Sequence, residues 1–171
     1  MLVAKLRQLA LVTRAGRVTL PYPFQPHPPA EGFRGLPTVD GEKCIACGAC
    51  AAACPARLIS VRPEGERMVL QADYTRCTYC ARCEDVCPTG ACHMTGRFET
   101  AIADRSKLRV RVALQAATCP RCGKRFASQR QLQRAAEQAG EPESSQALLA
   151  LCPDCRRRAY GARLKGALGH G

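Results

Sequence analysis

The chain has 171 residues, 13 of them cysteine, and its 26 Lys+Arg against 14 Asp+Glu give a formal net charge of +12. Aromatic residues make up only 5% and Trp is absent, which excludes a large aromatic-rich core and points to one or two small domains held by metal or disulfides. The cysteine pattern argues against a secreted disulfide scaffold, because most of these residues fall in repeated short clusters of the kind metal ligation needs.

Residues 1–17 place Leu2, Leu6 and Leu9 at helical spacing beside Val3 and Ala10, with Lys5, Arg7 and Gln8 elsewhere on the wheel. This predicts an amphipathic helix packed on its own domain, on a partner subunit or on a membrane surface. Lys5 and Arg7 interrupt the apolar run, so no signal peptide is expected, and nothing approaches the roughly 20 apolar residues of a membrane span. A reducing, cytoplasmic location follows. Residues 18–39 hold six prolines. Proline fixes φ and removes donors, so this stretch reads as an extended arm that is either a linker or a strap along another protein.

Residues 40–95 contain an internal repeat. Cys44, Cys47, Cys50 and Cys54 recur as Cys77, Cys80, Cys83 and Cys87, each 33 residues on, and Pro55 recurs as Pro88. A short apolar stretch follows each run, and "LISVRPEGERMVLQ" between them predicts two strands around a turn at Glu64-Gly65. The expected unit is metal loop, short helix, strand, made twice. A four-iron cubane presents its irons at the corners of a tetrahedron. Three thiolates spaced two apart can wrap one face, but the fourth cannot reach the opposite iron without strain. The solution for a two-cluster unit is exchange, the fourth cysteine of each run serving the other cluster. One cluster would take Cys44, Cys47, Cys50 and Cys87, and the other Cys77, Cys80, Cys83 and Cys54. Gly48 would let the backbone approach the inorganic core, with Ala81 as a mild departure at the equivalent place. Pro55 and Pro88 would turn the chain away without an orphan donor. Ile45 and Val86 would shield the clusters from water. Cys92 is left over and reads as a small buried hydrophobe, a further ligand or reactive thiol being the weaker reading.

Residues 96–118 read as a mixed helix-and-loop connection. Residues 119–158 carry Cys119, Cys122, Cys152 and Cys155 as two Cys-x-x-Cys pairs, which make two knuckles and one tetrahedral four-sulfur site of zinc-ribbon or rubredoxin type. Zinc is favoured over a mononuclear iron, and redox-active dithiols are the alternative. Such a site would supply folding energy on the order of 10 kcal/mol. Between the pairs, "SQRQLQRAAEQAG" predicts a helix capped by Ser128, with Gln131 three residues on and Gly140 as a stop. From Arg156 the chain is basic and reads as loosely ordered, with 159–171 as a tail. His27, His93 and His170 are scattered, and no catalytic dyad, phosphate loop or nucleotide fingerprint is present. Thiolate sites would absorb part of the positive charge, lowering +12 to about +6 with two oxidised clusters and one divalent ion bound. Arg and Lys are scattered and aromatic platforms few, against a nucleic-acid-binding surface.

Three further features carry a resemblance. "TLPYPFQPHPPAEGFRG" is similar to the arm of the complex I subunit that holds two four-iron clusters. "RFETAIADRSKL" is similar to the segment that follows the clusters there. The last four cysteines, with "RCGKRFASQRQL" and "CPDCRRR", resemble the iron–sulfur subunit of formate hydrogenlyase and hydrogenase-4 type complexes. The resemblance covers residues 1–158. It implies an α+β fold: a duplicated, ferredoxin-like domain with two [4Fe–4S] clusters, an extended N-terminal arm and a C-terminal four-cysteine module. It implies a non-catalytic electron-transfer subunit in a complex-I-related nickel–iron hydrogenase. Its partners would be the small and large hydrogenase subunits, another iron–sulfur protein and membrane-arm subunits, on the cytoplasmic side of the inner membrane, with no small-molecule substrate of its own. A complex I type two-cluster subunit and a free-standing eight-iron ferredoxin are the alternatives.

Overall fold

The computed structural model describes residues 2–25, 27–139 and 147–168, and the chain divides into two compact units, Met1–Gly32 and Phe33–Gly171. The first unit is helix α1 (Leu2–Ala15) followed by an extended, Pro-rich stretch. Gly16, at φ +60°, stops the helix, and its N–H donates to the Val12 carbonyl at 3.2 Å. No residue of α1 is buried, and Leu2, Leu6 and Leu9 are all exposed.

The second unit mixes helix and strand. In chain order it holds β1 (Pro37–Val39), α2 (Ala49–Ala53), β2 (Ile59–Glu64), β3 (Arg67–Asp73), α3 (Arg82–Asp85), β4 (Cys92–Met94), β5 (Arg109–Thr118), β6 (Arg125–Ser128), α4 (Gln129–Ala139) and α5 (Pro153–Leu168). Single 3₁₀ turns at Tyr74–Arg76 and Arg105–Leu108 precede the second cysteine run and β5. β1 pairs antiparallel with β4, and β2-β3-β5-β6 form a four-stranded antiparallel sheet. The register sets Met68 opposite Leu114 and Leu70 opposite Val112. These side chains are buried and lie in one apolar cluster with Cys44, Cys50 and Cys83, so the sheet's inner face backs the cysteine loops.

Each cysteine run holds a short helix that carries its third cysteine, α2 with Cys50 and α3 with Cys83, and a strand follows each run, β2 and β4. Their backbones agree in detail. Left-handed residues recur at the 33-residue offset: Ala46 with Tyr79, Gly48 with Ala81, and Arg57 with Gly90. Gly48 and Ala81 are the residues before α2 and α3, and their carbonyls accept from Ala52 N–H at 3.0 Å and Asp85 N–H at 3.2 Å. A turn follows each fourth cysteine, closed by Arg57 N–H to Cys54 O at 3.1 Å and Gly90 N–H to Cys87 O at 3.3 Å. Pro55 and Pro88 occupy the position in that turn where a fixed φ helps.

Three sequence expectations change. The arm ends before residue 39, since Phe33 onward belongs to the second unit, where Gly35 N–H donates to Thr95 O at 2.8 Å and Leu36 N–H to Arg97 O at 2.6 Å. Residues 96–118 are not helix and loop throughout: their second half is the ten-residue strand β5, whose Val112, Leu114 and Ala116 face the core in strict alternation. The basic segment from Arg156 is not loose. It continues α5, which starts with Pro153 in the favoured first position. Gly140, the expected stop of α4, and His170 lie outside the described residues.

Candidate metal centres

The first run leaves β1 through an Asp40 turn in which the carboxylate accepts from Glu42 N–H at 2.8 Å. The second run leaves β3 through the Tyr74–Arg76 turn, capped by Asp73, whose carboxylate accepts from Thr75 N–H at 3.1 Å and pairs with Arg109 at 2.9 Å. Each run is thereby delivered to the inner face of the sheet.

Two neighbouring cavities lie there. Cys77, Cys80, Cys83 and Cys54 line one, together with Tyr74, Pro37 and Ile59. Cys44, Cys47, Cys50 and Cys87 line the other, together with Ile45, Leu70 and the leftover Cys92. Each cavity therefore meets three cysteines of one run and the fourth of the other. Ile45 stands at the second cavity as expected, whereas Val86 is 40% exposed and lines neither.

Burial pushes the Cys44 and Cys77 thiols up, and Cys50 to about 11. Cys87 is lowered: burial opposes this, but the N–H groups of Cys92 and Thr89 outweigh it. Cys92, the unassigned cysteine, is buried in β4, as its apolar setting led one to expect. It also touches both sets. Its N–H donates to Cys87 Sγ at 3.4 Å, and its thiol is hydrogen-bonded to Cys83, which draws Cys83 down to about 7. His27 and His93 are exposed and line neither cavity.

The third group is built by β5, β6 and α5. Cys119 and Cys122 flank the β5–β6 turn, where Gly123 takes φ +70° and donates its N–H to Cys119 O at 2.9 Å. Cys152 and Cys155 stand at the start of α5, with Arg156 N–H on Cys152 O at 2.9 Å. The Arg156 side chain donates to the carbonyls of Leu148, Leu149 and Leu151 at 3.0–3.2 Å, fixing the chain that enters this knuckle. All four sulfurs lie within 4.8 Å of one another, and Cys122 and Cys152 are 3.6 Å apart. A tetrahedral ion with bonds of about 2.3 Å needs sulfurs about 3.8 Å apart. The N–H of Cys152, with those of Arg121 and Cys122, holds Cys119 down at about 6, and burial pushes Cys155 up to about 12.

Helix α4 ties this group to the first run. Ser128 Oγ accepts from Gln131 N–H at 3.1 Å, the expected cap, and donates to Ile45 O at 2.5 Å. Arg130 donates to the carbonyls of Gly41 at 2.8 Å and Glu42 at 2.7 Å, and Arg134 to that of Pro88 at 3.0 Å.

Residues 43–91 match the 4Fe-4S dicluster domain family. This segment is a 4Fe–4S dicluster domain. Over part of its length the chain is homologous to proteins named as subunits of larger enzymes. It is 36% identical over 53 residues to formate hydrogenlyase subunit 6 of Escherichia coli, covering 31% of this chain and 29% of that protein. It is 49% identical over 45 residues to F(420)H(2) dehydrogenase subunit I of Methanosarcina mazei, covering 26% and 25%. Among solved structures it is similar to a chain of the archaeal membrane-bound sulfane sulfur reductase complex, with 38% identity, TM-score 0.40, and coverage of 49% of this chain and 46% of that one. The chain spans less than a third of the length of either curated relative.

Proposed function

We propose that this chain is a non-catalytic electron-transfer subunit of a membrane-associated, complex-I-related nickel–iron hydrogenase of formate hydrogenlyase type. Two [4Fe–4S] clusters, held by Cys44, Cys47, Cys50 and Cys87 and by Cys77, Cys80, Cys83 and Cys54, supply one-electron transfer at low potential. The observation that carries the reading is the lining of the two cavities, each with three sulfur donors from one run and the fourth from the other, Cys92 adding a further sulfur at the second. Their walls are otherwise largely apolar. The repeated left-handed positions support a duplicated origin for the two halves.

Cys119, Cys122, Cys152 and Cys155 hold one further ion, Zn²⁺ or a mononuclear iron. The tight sulfur group supports this, and zinc is preferred because the site needs no redox role to justify it. The partners are the small and large hydrogenase subunits, another iron–sulfur protein and membrane-arm subunits, with the Pro-rich arm as a strap on one of them. No helix among the described residues is long and apolar enough to cross a membrane, and the proposed place is peripheral, on the cytoplasmic face of the inner membrane. The homology to an F(420)H(2) dehydrogenase subunit favours a second reading, the two-cluster subunit of a complex I type dehydrogenase.

The test is purification of the tagged chain from its own membranes. The proposal expects a nickel-containing catalytic subunit to accompany it, with nickel measured in the complex. A nickel-free dehydrogenase would select the second reading, and a stable monomer carrying its full iron would overturn both.

A further inference from the structure

Tyr74 is 4% exposed, and its hydroxyl has no hydrogen-bond partner among the described residues. A buried hydroxyl without a partner is rare and calls for a physical reason. Its place supplies one. Tyr74 opens the 3₁₀ turn that delivers the second run, and it lines the cavity of Cys54, Cys77, Cys80 and Cys83. A tyrosine hydroxyl carries its proton at neutral pH. The group is therefore an O–H donor at the cavity lined by these four sulfurs.

We propose that Tyr74 tunes the cluster held by Cys54, Cys77, Cys80 and Cys83, by donating its O–H to a sulfur of that centre. This rests on the two-cluster reading. The donor end of an O–H dipole stabilises negative charge gathered on the sulfurs, so it favours the one-electron-reduced state and raises the reduction potential. Tyr74 is a positioning residue in this role. It carries no electron and binds no iron. Its aromatic ring is buried in the apolar cluster with Ile59 and Leu70, where Phe would fill the same space. The hydroxyl is therefore separable from the packing.

The experiment compares the full-length chain with Tyr74→Phe and with 3-fluorotyrosine placed at residue 74, each reconstituted with iron and sulfide. Potentials are read by dithionite titration followed with paramagnetic resonance. Tyr74→Phe is expected to lower one of the two potentials by about tenfold in the reduction equilibrium, or about 59 mV for a one-electron couple, and to leave the other in place. Fluorotyrosine, a stronger donor, is expected to raise the same potential. Both potentials unchanged in both proteins, or both moved equally, would overturn the inference. If Tyr74→Phe fails to assemble, the fluorotyrosine arm alone decides it. Iron content separates this failure from that of the underlying reading. About eight cluster irons with unmoved potentials removes only the role of Tyr74, whereas wild-type protein without paired cubanes removes the two-cluster assignment.

Discussion

A Cβ built on Gly35 would run into the Arg97 carbonyl oxygen and lie 2.6 Å from that of Thr95. Both are backbone atoms of the segment that leaves β4, so neither can swing aside. Gly65, at φ +55° in the β2–β3 turn, has open space around it. The two glycines are therefore kept for different reasons, and Ala substitutions should separate them. Gly35→Ala is expected to cost about 3 kcal/mol, at the upper end of overpacking. Gly65→Ala should cost about 1 kcal/mol through backbone strain alone. The midpoint of visible bleaching on heating ranks them, and equal midpoints would mean that the approach of residues 35 and 97 does not matter. At this scale the cysteines were legible because their spacing is itself the chemistry. Tyr74 was not. Its burial depends on the 3₁₀ turn and on the sheet behind it, neither of which a lone aromatic residue before Cys77 announces. Val86 was misread for the same reason: an apolar residue in a cluster loop can face outward.

Among the elements, β5 is the one the sequence concealed least and the reading still missed. Arg109, Arg111, Ala113 and Gln115 are exposed, alternating with Val110, Val112, Leu114 and Ala116 on the inner side. That period of two was present in "RVRVALQA". The β2–β3 hairpin and α4 were legible because a turn signal and a cap mark their ends. The Ser128 cap also predicts a measurable loss. Ser128 is fully buried and serves both Gln131 N–H and Ile45 O. Ser128→Ala removes a cap and orphans a carbonyl, at an expected cost of about 2 kcal/mol. Hydrogen exchange at the Gln131 amide should accelerate with it; an unchanged rate would show that the hydroxyl is dispensable there.

In the second unit as a whole, the four-cysteine group and the dicluster domain are not independent beads. β5 and β6 extend the sheet that backs the cysteine loops, and α4 with its Ser128 cap hydrogen-bonds to Gly41, Glu42, Ile45 and Pro88, all beside the Cys44 set. Composition could not show this coupling, because it rests on contacts between residues far apart in the chain, 46 positions for Arg134 with Pro88 and 89 for Arg130 with Gly41. It predicts an asymmetric response to chelation. With an ion bound at Cys119, Cys122, Cys152 and Cys155 as proposed, its removal should speed iron loss from the proposed cluster on the Cys44 side more than from that on the Cys77 side, giving two phases of release. A single unaltered phase would mean that the two parts are energetically separate. Replacing Arg130 with Met should reproduce part of the effect without touching a ligand, since it removes the donor to the Gly41 and Glu42 carbonyls.

The exchange of fourth cysteines between the runs is tested most directly by iron content in two double variants. If Cys87 serves the first run, Cys44→Ala with Cys87→Ala damages one centre and leaves about four irons in the other, whereas Cys77→Ala with Cys87→Ala damages both and leaves almost none. The reverse pattern, with about four irons kept by the Cys77/Cys87 pair and few by the Cys44/Cys87 pair, would mean that each run closes its own cluster.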